Sequence, residues 1–372
     1  MSIVTIARLD LDWSSGPRPE RWAALARRSE RPVIALLALL VGMAVFALFL
    51  LMLGKSPLQF YQLVFKAGFG TAFSWENTLS RAAPLLLAAL CVALPARLGL
   101  VVIGGEGAIV IGGLAAGAVG AQIVGLPSVA GLVLIAICAM SAGGLWIAAV
   151  GWLRHWRGVN ETIASLLMAY IGVALLNHFV EGPLRDPASL NKPSTAPIDA
   201  AHRVGAMPGM DVHWGLAAGL LACIVCWVLM DATRWGFAAR IVGGNARAAQ
   251  VQALPVGRLI TGFCFIGGAL AGLAGFFEVV AVHGAANASL NAGFGYTAIL
   301  IAFMAQHHPL AIIPAAVLLA GFDAASGLVQ RRMDLPDATI LVMQGFVFIS
   351  ILLSESLYGR LRVFTPDRWS VR

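Results

Sequence analysis

Long apolar runs separated by short polar connections recur from Val33 to Ser354. No other feature limits what this chain can fold into as strongly. A helix needs about 20 mainly apolar residues to cross a hydrocarbon core of about 30 Å. In lipid the backbone must satisfy its own hydrogen bonds, so runs of this length predict helices. They lie near 33–53, 82–100, 101–122, 128–153, 163–180, 214–231, 259–280, 295–307, 309–328 and 338–355. Apolar residues make up 59% of the chain and charged residues 12%, against about 45–50% and about 25% in soluble domains. A soluble core cannot absorb that excess, whereas a bilayer can. The expected fold is an all-α polytopic membrane protein with about ten transmembrane helices. The second and third runs are not cleanly separated and the eighth is short, so broken or short helices are expected near 95–107 and 295–309.

An even number of spans puts both termini on one side. That side then carries 17 of the 25 Lys and Arg residues. The positive-inside rule makes it cytoplasmic, N-in and C-in. The expected organisation is a cytoplasmic segment 1–32, a transmembrane domain 33–355 and a cytoplasmic tail 356–372. The run Val33–Leu53 is too long for the core of a cleavable signal peptide and reads as a true span. Cys91, Cys138, Cys223, Cys226 and Cys264 all fall in apolar segments. That argues against a disulfide framework and for small buried hydrophobes. Residues 57–75, with Phe60, Tyr61, Phe65, Phe69 and Phe73, read as an external interfacial helix. Residues 181–213 form the longest external connection, rich in Pro and Asp. Residues 232–258 form the longest internal one, with Arg234, Arg240, Arg247 and Arg258. Alanines at helical spacing suggest a short surface helix there; a positive-inside linker is the alternative. Gly113–Gly117 and Gly268–Gly272 are small-xxx-small patterns that read as packing scaffold.

Catalytic signatures are missing. Gly54-Lys55-Ser56 resembles the tail of a nucleotide-binding loop, but Phe49 stands where its first glycine belongs. There is no H-E-x-x-H and no G-x-S-x-G. His307-His308 before Pro309 is an interfacial pair or, less simply, a metal site. Ionisable and amide residues at span depth or at span breaks are therefore the candidates. Glu106, set among Gly104, Gly105 and Gly107, lies between two spans, where glycines permit an unwound turn. It either lines a polar path or caps a helix. Glu278 ends the seventh run and faces a stretch with Asn287, Asn291 and Tyr296, neutral groups suited to a sugar or base, or simply a loop. Asp323 lies inside the ninth run as a path residue or a packing hydrogen-bonder. Asn160 and Glu161 open the fifth and also suit a helix cap.

In order and spacing, four stretches resemble the permeases of the branched-chain amino acid, ribose and nucleoside class of ABC importers, closest to the nucleoside or simple-sugar branch. Val102-Ile-Gly-Gly-Glu106-Gly107 is similar to the family's Asn-Ile-Gly-x-Glu-Gly-Gln. Asn160-Glu161-Thr-Ile with Met168-Ala-Tyr170-Ile is similar to its Asn-Glu-x-Ile and Leu-Asn-Tyr-Ile. Gly243-Gly-Asn245-Ala-Arg-Ala248-Ala249 resembles Gly-x-Asn-x-x-Ala-Ala. Gly268–Gly275, Gly293-Phe-Gly295-Tyr and His308-Pro309-Leu complete the set. The resemblance runs from about residue 76 to 355. It implies a bacterial inner-membrane location, a second permease subunit, two cytoplasmic ATPase subunits and an external solute-binding protein. ATP would be used by the partners, with no cofactor in this chain. Asn245, Arg247, Ala248 and Ala249, with Arg240 and Gly243, would form the coupling element seated on the ATPase. Val102, Ala108 and Ala169 replace polar residues of the family pattern, so a more apolar path than usual is expected. An ion-gradient-driven transporter is the competing class; it calls for internal repeats and mid-span carboxylates, and no convincing repeat is present.

Overall fold

The computed structural model describes residues 19–123 and 125–355. The expected N-terminal segment up to Arg18 and the tail 356–372 lie outside the described residues. Helices dominate: α1 Pro19–Met52, α2 Pro57–Phe69, α3 Ala72–Ala96, α4 Gly105–Gly120, α5 Ser128–Arg157, α6 Glu161–Glu181, α7 Gly215–Ala232, α8 Arg234–Gly244, α9 Ala246–Val251, α10 Val256–Phe277, α11 Phe294–Met304, α12 Pro309–Met333 and α13 Thr339–Glu355. Among the described residues, seven helices are long and apolar enough to cross a membrane. Three shorter apolar helices, Gly105–Gly120, Ala288–Met304 and Thr339–Ser354, account for the remaining runs. The fold is the expected all-α polytopic one.

The described residues fall into two units, 46–345 and a smaller one that joins those up to 45 with those from 346 onward. Within the smaller unit, Gly42 meets the backbone of Val347, so a side chain there has no room. The larger unit is built around α3 and α10, whose membrane windows are 78% and 72% buried against 33% for α6. Glycine makes this centre. Gly268 and Gly272 of α10 lie on the Gly143 and Ala139 backbone of α5, and Gly275 lies on Ile109 and Gly113 of α4. Gly117 faces Ala286 and Thr195. Close backbone approach is how helices associate where lipid supplies no hydrophobic drive, and both small-residue patterns serve it.

Two boundaries differ from the expectation. The aromatic stretch 57–75 is not one helix. Ser56 accepts from the Gln59 N–H and Pro57 opens α2, as its fixed φ allows. Thr71 then starts α3 by accepting from the Ser74 N–H at 3.1 Å. The second span thus begins well before residue 82 and takes Glu76 and Arg81 into a helix. Local caps overrode hydropathy, which sees polar residues as loop. The 232–258 connection is likewise mostly helical: α8 and α9 meet at Asn245.

Candidate functional site

The interruption between α3 and α4 spans residues 97–104. Its freed backbone groups find partners on α6: the Ile103 N–H donates to Ser165 Oγ at 3.0 Å, and Thr162 Oγ1 donates to the Val101 carbonyl at 3.0 Å. At the start of α4, Glu106 is fully buried. Its Oε1 accepts from the Gly293 N–H at 2.8 Å and its Oε2 from the Gly295 N–H at 2.6 Å. Those amides are the N-terminal donors of α11. One carboxylate therefore sits at the positive ends of two half-helices. Gly293 has φ +82°, open to glycine and strained for most other residues, and a Cβ on Gly295 would enter the Glu106 backbone. Glu106 is thus a clamp between two broken helices.

Beyond that clamp lies polar space. After α10 the chain forms a π-helix, Glu278–His283, ending at Gly284. Such π-segments are frequent at functional sites. A cavity of about 300 Å³ opens beside it, lined by Asn77, Ser80, Arg81, His213, Glu278 and His283 among others. A second, of about 150 Å³, is lined by Thr297, Asp323, Ser326 and Asp337. Arg81, Ala292 and Phe294 are walls of both. Glu278 is 6% exposed and approaches His283 at 3.6 Å. Asp323 accepts from Gln344 Nε2 at 2.7 Å, and Thr297 Oγ1 donates to Gln344 Oε1 at 3.2 Å. This relay ties α11, α12 and α13 together at the cavity wall. A further recess of about 450 Å³, walled by Leu145, Ala148, Trp156 and Phe265 between α5 and α10, is apolar and suits lipid rather than a polar solute.

The structure therefore brings Glu278 and Asp323 to one polar region. The remaining candidates lie elsewhere. Asn287 is buried and caps a 3₁₀ turn, accepting from the Ser289 N–H at 2.9 Å. Asn291 and Tyr296 are exposed and line neither cavity. Asn160 caps α6 by accepting from the Ile163 N–H at 3.1 Å, and Glu161 pairs with Arg154 Nε at 3.1 Å across the α5–α6 turn. Val102, Ala108 and Ala169 are all buried, Ala169 against Gly107. They pack the subunit and wall neither cavity.

The 181–213 connection is strapped along the π-segment and the loop after it. The Thr195 N–H donates to the Ala286 carbonyl at 2.9 Å, Ile198 N–H to Gly284 at 2.9 Å and Val204 N–H to Val280 at 3.1 Å. Thr195 Oγ1 accepts from the Ala286 N–H at 3.0 Å.

At the α8–α9 elbow, Asn245 Oδ1 accepts from the N–H groups of Arg247 and Ala248 at 3.0 and 3.1 Å. Arg247 and Ala248 are exposed and Ala249 is fully buried. Gly243 rests on the Arg97 carbonyl, where a Cβ would collide. The elbow thus touches the beginning of the α3–α4 interruption. Arg240 pairs with Asp231 at 3.4 Å, and His308, at the α11–α12 junction, approaches the same carboxylate at 3.9 Å. In that junction Gln306 and His307 both have positive φ, 50° and 56°. Burial, helped by Arg97, pushes the His307 imidazole down to about 4.

Sequence reasoning missed Arg81, Arg97, Thr297 and Gln344. Arg81 stands just before the apolar run that begins at residue 82, and the Thr71 cap that starts α3 at Ala72 is the local signal that brings it into a helix. The other three needed tertiary neighbours to acquire meaning.

Glycine-packed helices, interrupted at a buried carboxylate beside a polar cavity, define the membrane subunit of a transport system. Residues 74–352 match the family described as the branched-chain amino acid transport system / permease component, and the chain belongs to it. It is similar to the glucose ABC transporter permease of Haloferax volcanii, 32% identical over 89% of this chain and 89% of the relative. It is also similar to the guanosine ABC transporter permease of Bacillus subtilis, 28% identical over 90% and 96%. A probable riboflavin import permease of Treponema pallidum is 25% identical over 87% and 85%. No solved structure matches the chain. It is an ABC transporter permease subunit, a multi-pass protein of the inner membrane, from a family of permease components rather than enzymes. Such a permease works with ATPase and substrate-binding partners.

Proposed function

We propose that this permease imports a nucleoside or simple sugar, with two ATPase subunits on the cytoplasmic face, an external solute-binding protein, and a second permease that is either a copy or a paralogue. The chain itself needs no cofactor; ATP is consumed by the partners. Similarity to permeases for glucose, guanosine and other nucleosides supports the solute class. The orientation is N-in and C-in, as the Lys and Arg bias favours.

The observation that carries the reading is the Asn245 elbow. Arg247 and Ala248 stand exposed for a partner, while Gly243 bears on Arg97 where α3 ends. A partner that moves the elbow moves the mouth of the interrupted helices, a rigid-body switch of the kind closing ATPases drive. The test is uptake of radiolabelled guanosine and glucose into cells carrying the whole transporter. Uptake of at least one probe must vanish when the partner ATPase is inactivated by substitution. Uptake that persists and follows an ion gradient would overturn the reading in favour of a secondary transporter.

A further inference from the structure

From Arg81, Glu278, Asp323 and Phe294 around the paired cavities, we propose that this subunit contains its own solute site, which grips the vicinal hydroxyls of a sugar or ribose ring. The inference rests on the proposed import role and names the group by which the solute is held.

Arg81 carries the argument. It lines both cavities. Arg81 is exposed; its Nε donates to Asn77 Oδ1 at 3.3 Å, its two terminal nitrogens make no hydrogen bond among the described residues, and its charge acts on both Glu278 and Asp323. A guanidinium offers five donors and no acceptor, and an ionised carboxylate offers only acceptors. Glu278 lines one cavity and Asp323 the other, with Arg81 in the shared wall. Each carboxylate retains capacity: the Asp323 partner is a single Gln344 amide, and the Glu278 contact is a long approach of His283. The pocket thus presents donors and acceptors side by side. A vicinal diol satisfies both, because each hydroxyl donates and accepts.

Charge narrows the class further. Asp323 and Asp337, facing a single arginine, disfavour phosphate and carboxylate solutes. Arg81, standing between the two cavities, opposes a bare cation. A neutral hydroxyl-rich ring meets neither objection. The half-buried Phe294 offers it an apolar face, and Ser80, Ser289, Thr297 and Ser326 add neutral hydroxyls. At about 300 Å³ the larger cavity is at the small end of ligand sites, consistent with one ring.

The complete transporter in proteoliposomes supplies the test, with radiolabelled guanosine, 2′,3′-dideoxyguanosine and glucose as probes. Wild type should carry guanosine or glucose, and should carry guanosine faster than its dideoxy analogue if guanosine is the solute. Arg81→Gln should lower the maximal rate by about tenfold or more, as loss of charge-assisted hydrogen bonds implies. Arg81→Lys, which keeps charge but not the planar fork, should fall between them. A second measurement covers a variant that fails to assemble. In an Ala292→Cys protein, the transported probe should slow labelling by a charged thiol reagent, and adding Arg81→Gln should abolish that protection. Unchanged uptake in Arg81→Gln, or labelling indifferent to the probe, overturns the site while leaving the import role standing. ATP-dependent uptake of none of the probes overturns the solute class and the site together.

Discussion

At the scale of the residue, Glu106 decides most. Its flanking glycines marked a break in the sequence, and both a path residue and a helix cap were compatible with that pattern. The structure shows why sequence could not choose: the two amides it binds, Gly293 and Gly295, lie far along the chain at the start of another helix. Replacing Glu106 with Gln keeps one acceptor and turns an amide donor toward a backbone donor. A buried group left unsatisfied costs about 1–3 kcal/mol, so Glu106→Gln should lower the melting temperature of the detergent-solubilised protein. Glu106→Ala frees two amides and should cost roughly twice as much. A wild-type melting temperature in both would show that the clamp carries no stability. His307 gives a second prediction, with a definite sign. Its folded value, about 4, is below the usual value near 6.5. Its contribution is therefore present above about 6.5 and is lost as pH falls toward 4. Wild type should lose more thermal stability between pH 7 and pH 5 than His307→Gln. An equal loss in both proteins would assign the acid sensitivity elsewhere.

At the scale of the element, hydropathy located the spans because a bilayer imposes one length on all of them. It could not see caps. Ser56, Thr71 and Asn245 each begin a helix through one side-chain acceptor, and these local bonds divided 57–75 and turned 232–258 into α8 and α9. The alanine spacing did make α9 legible, because a buried Ala249 beside exposed Arg247 is an amphipathic pattern on the smallest scale. The elbow also makes a sharp demand on substitution. Ala249 has no free surface, so Ala249→Trp must displace α9, whereas Arg247→Glu reverses an exposed charge and leaves packing alone. Both should abolish uptake while the chain still inserts, and both should weaken co-purification of the ATPase. Full ATPase binding in both variants would remove the elbow from the coupling role.

At the scale of the whole chain, the ordered motifs from about residue 76 to 355 anticipated the matched family region, 74–352. The polar region was only half legible. Glu278 and Asp323 stood out because charge at membrane depth is costly, but Arg81 was hidden because it stands just before the apolar run that begins at residue 82, although α3 starts at Ala72. Orientation follows from a different physics, the distribution of Lys and Arg between connections, and can be tested apart from transport. Leu190 in the 181–213 strap is 80% exposed and Val251 in α9 is 88% exposed, so cysteines at either place should be reachable without disturbing packing. Among the native cysteines Cys138 is the partly exposed one, which makes Cys138→Ser the natural background. In intact cells an impermeant thiol reagent should label Leu190→Cys at once, and Val251→Cys only after the membrane is opened. The two connections sit on opposite sides of an odd number of expected spans, so they must answer differently in either orientation. Labelling of Val251→Cys first would invert the chain, place the elbow outside and leave Gly243 and Arg97 without an ATPase to answer to.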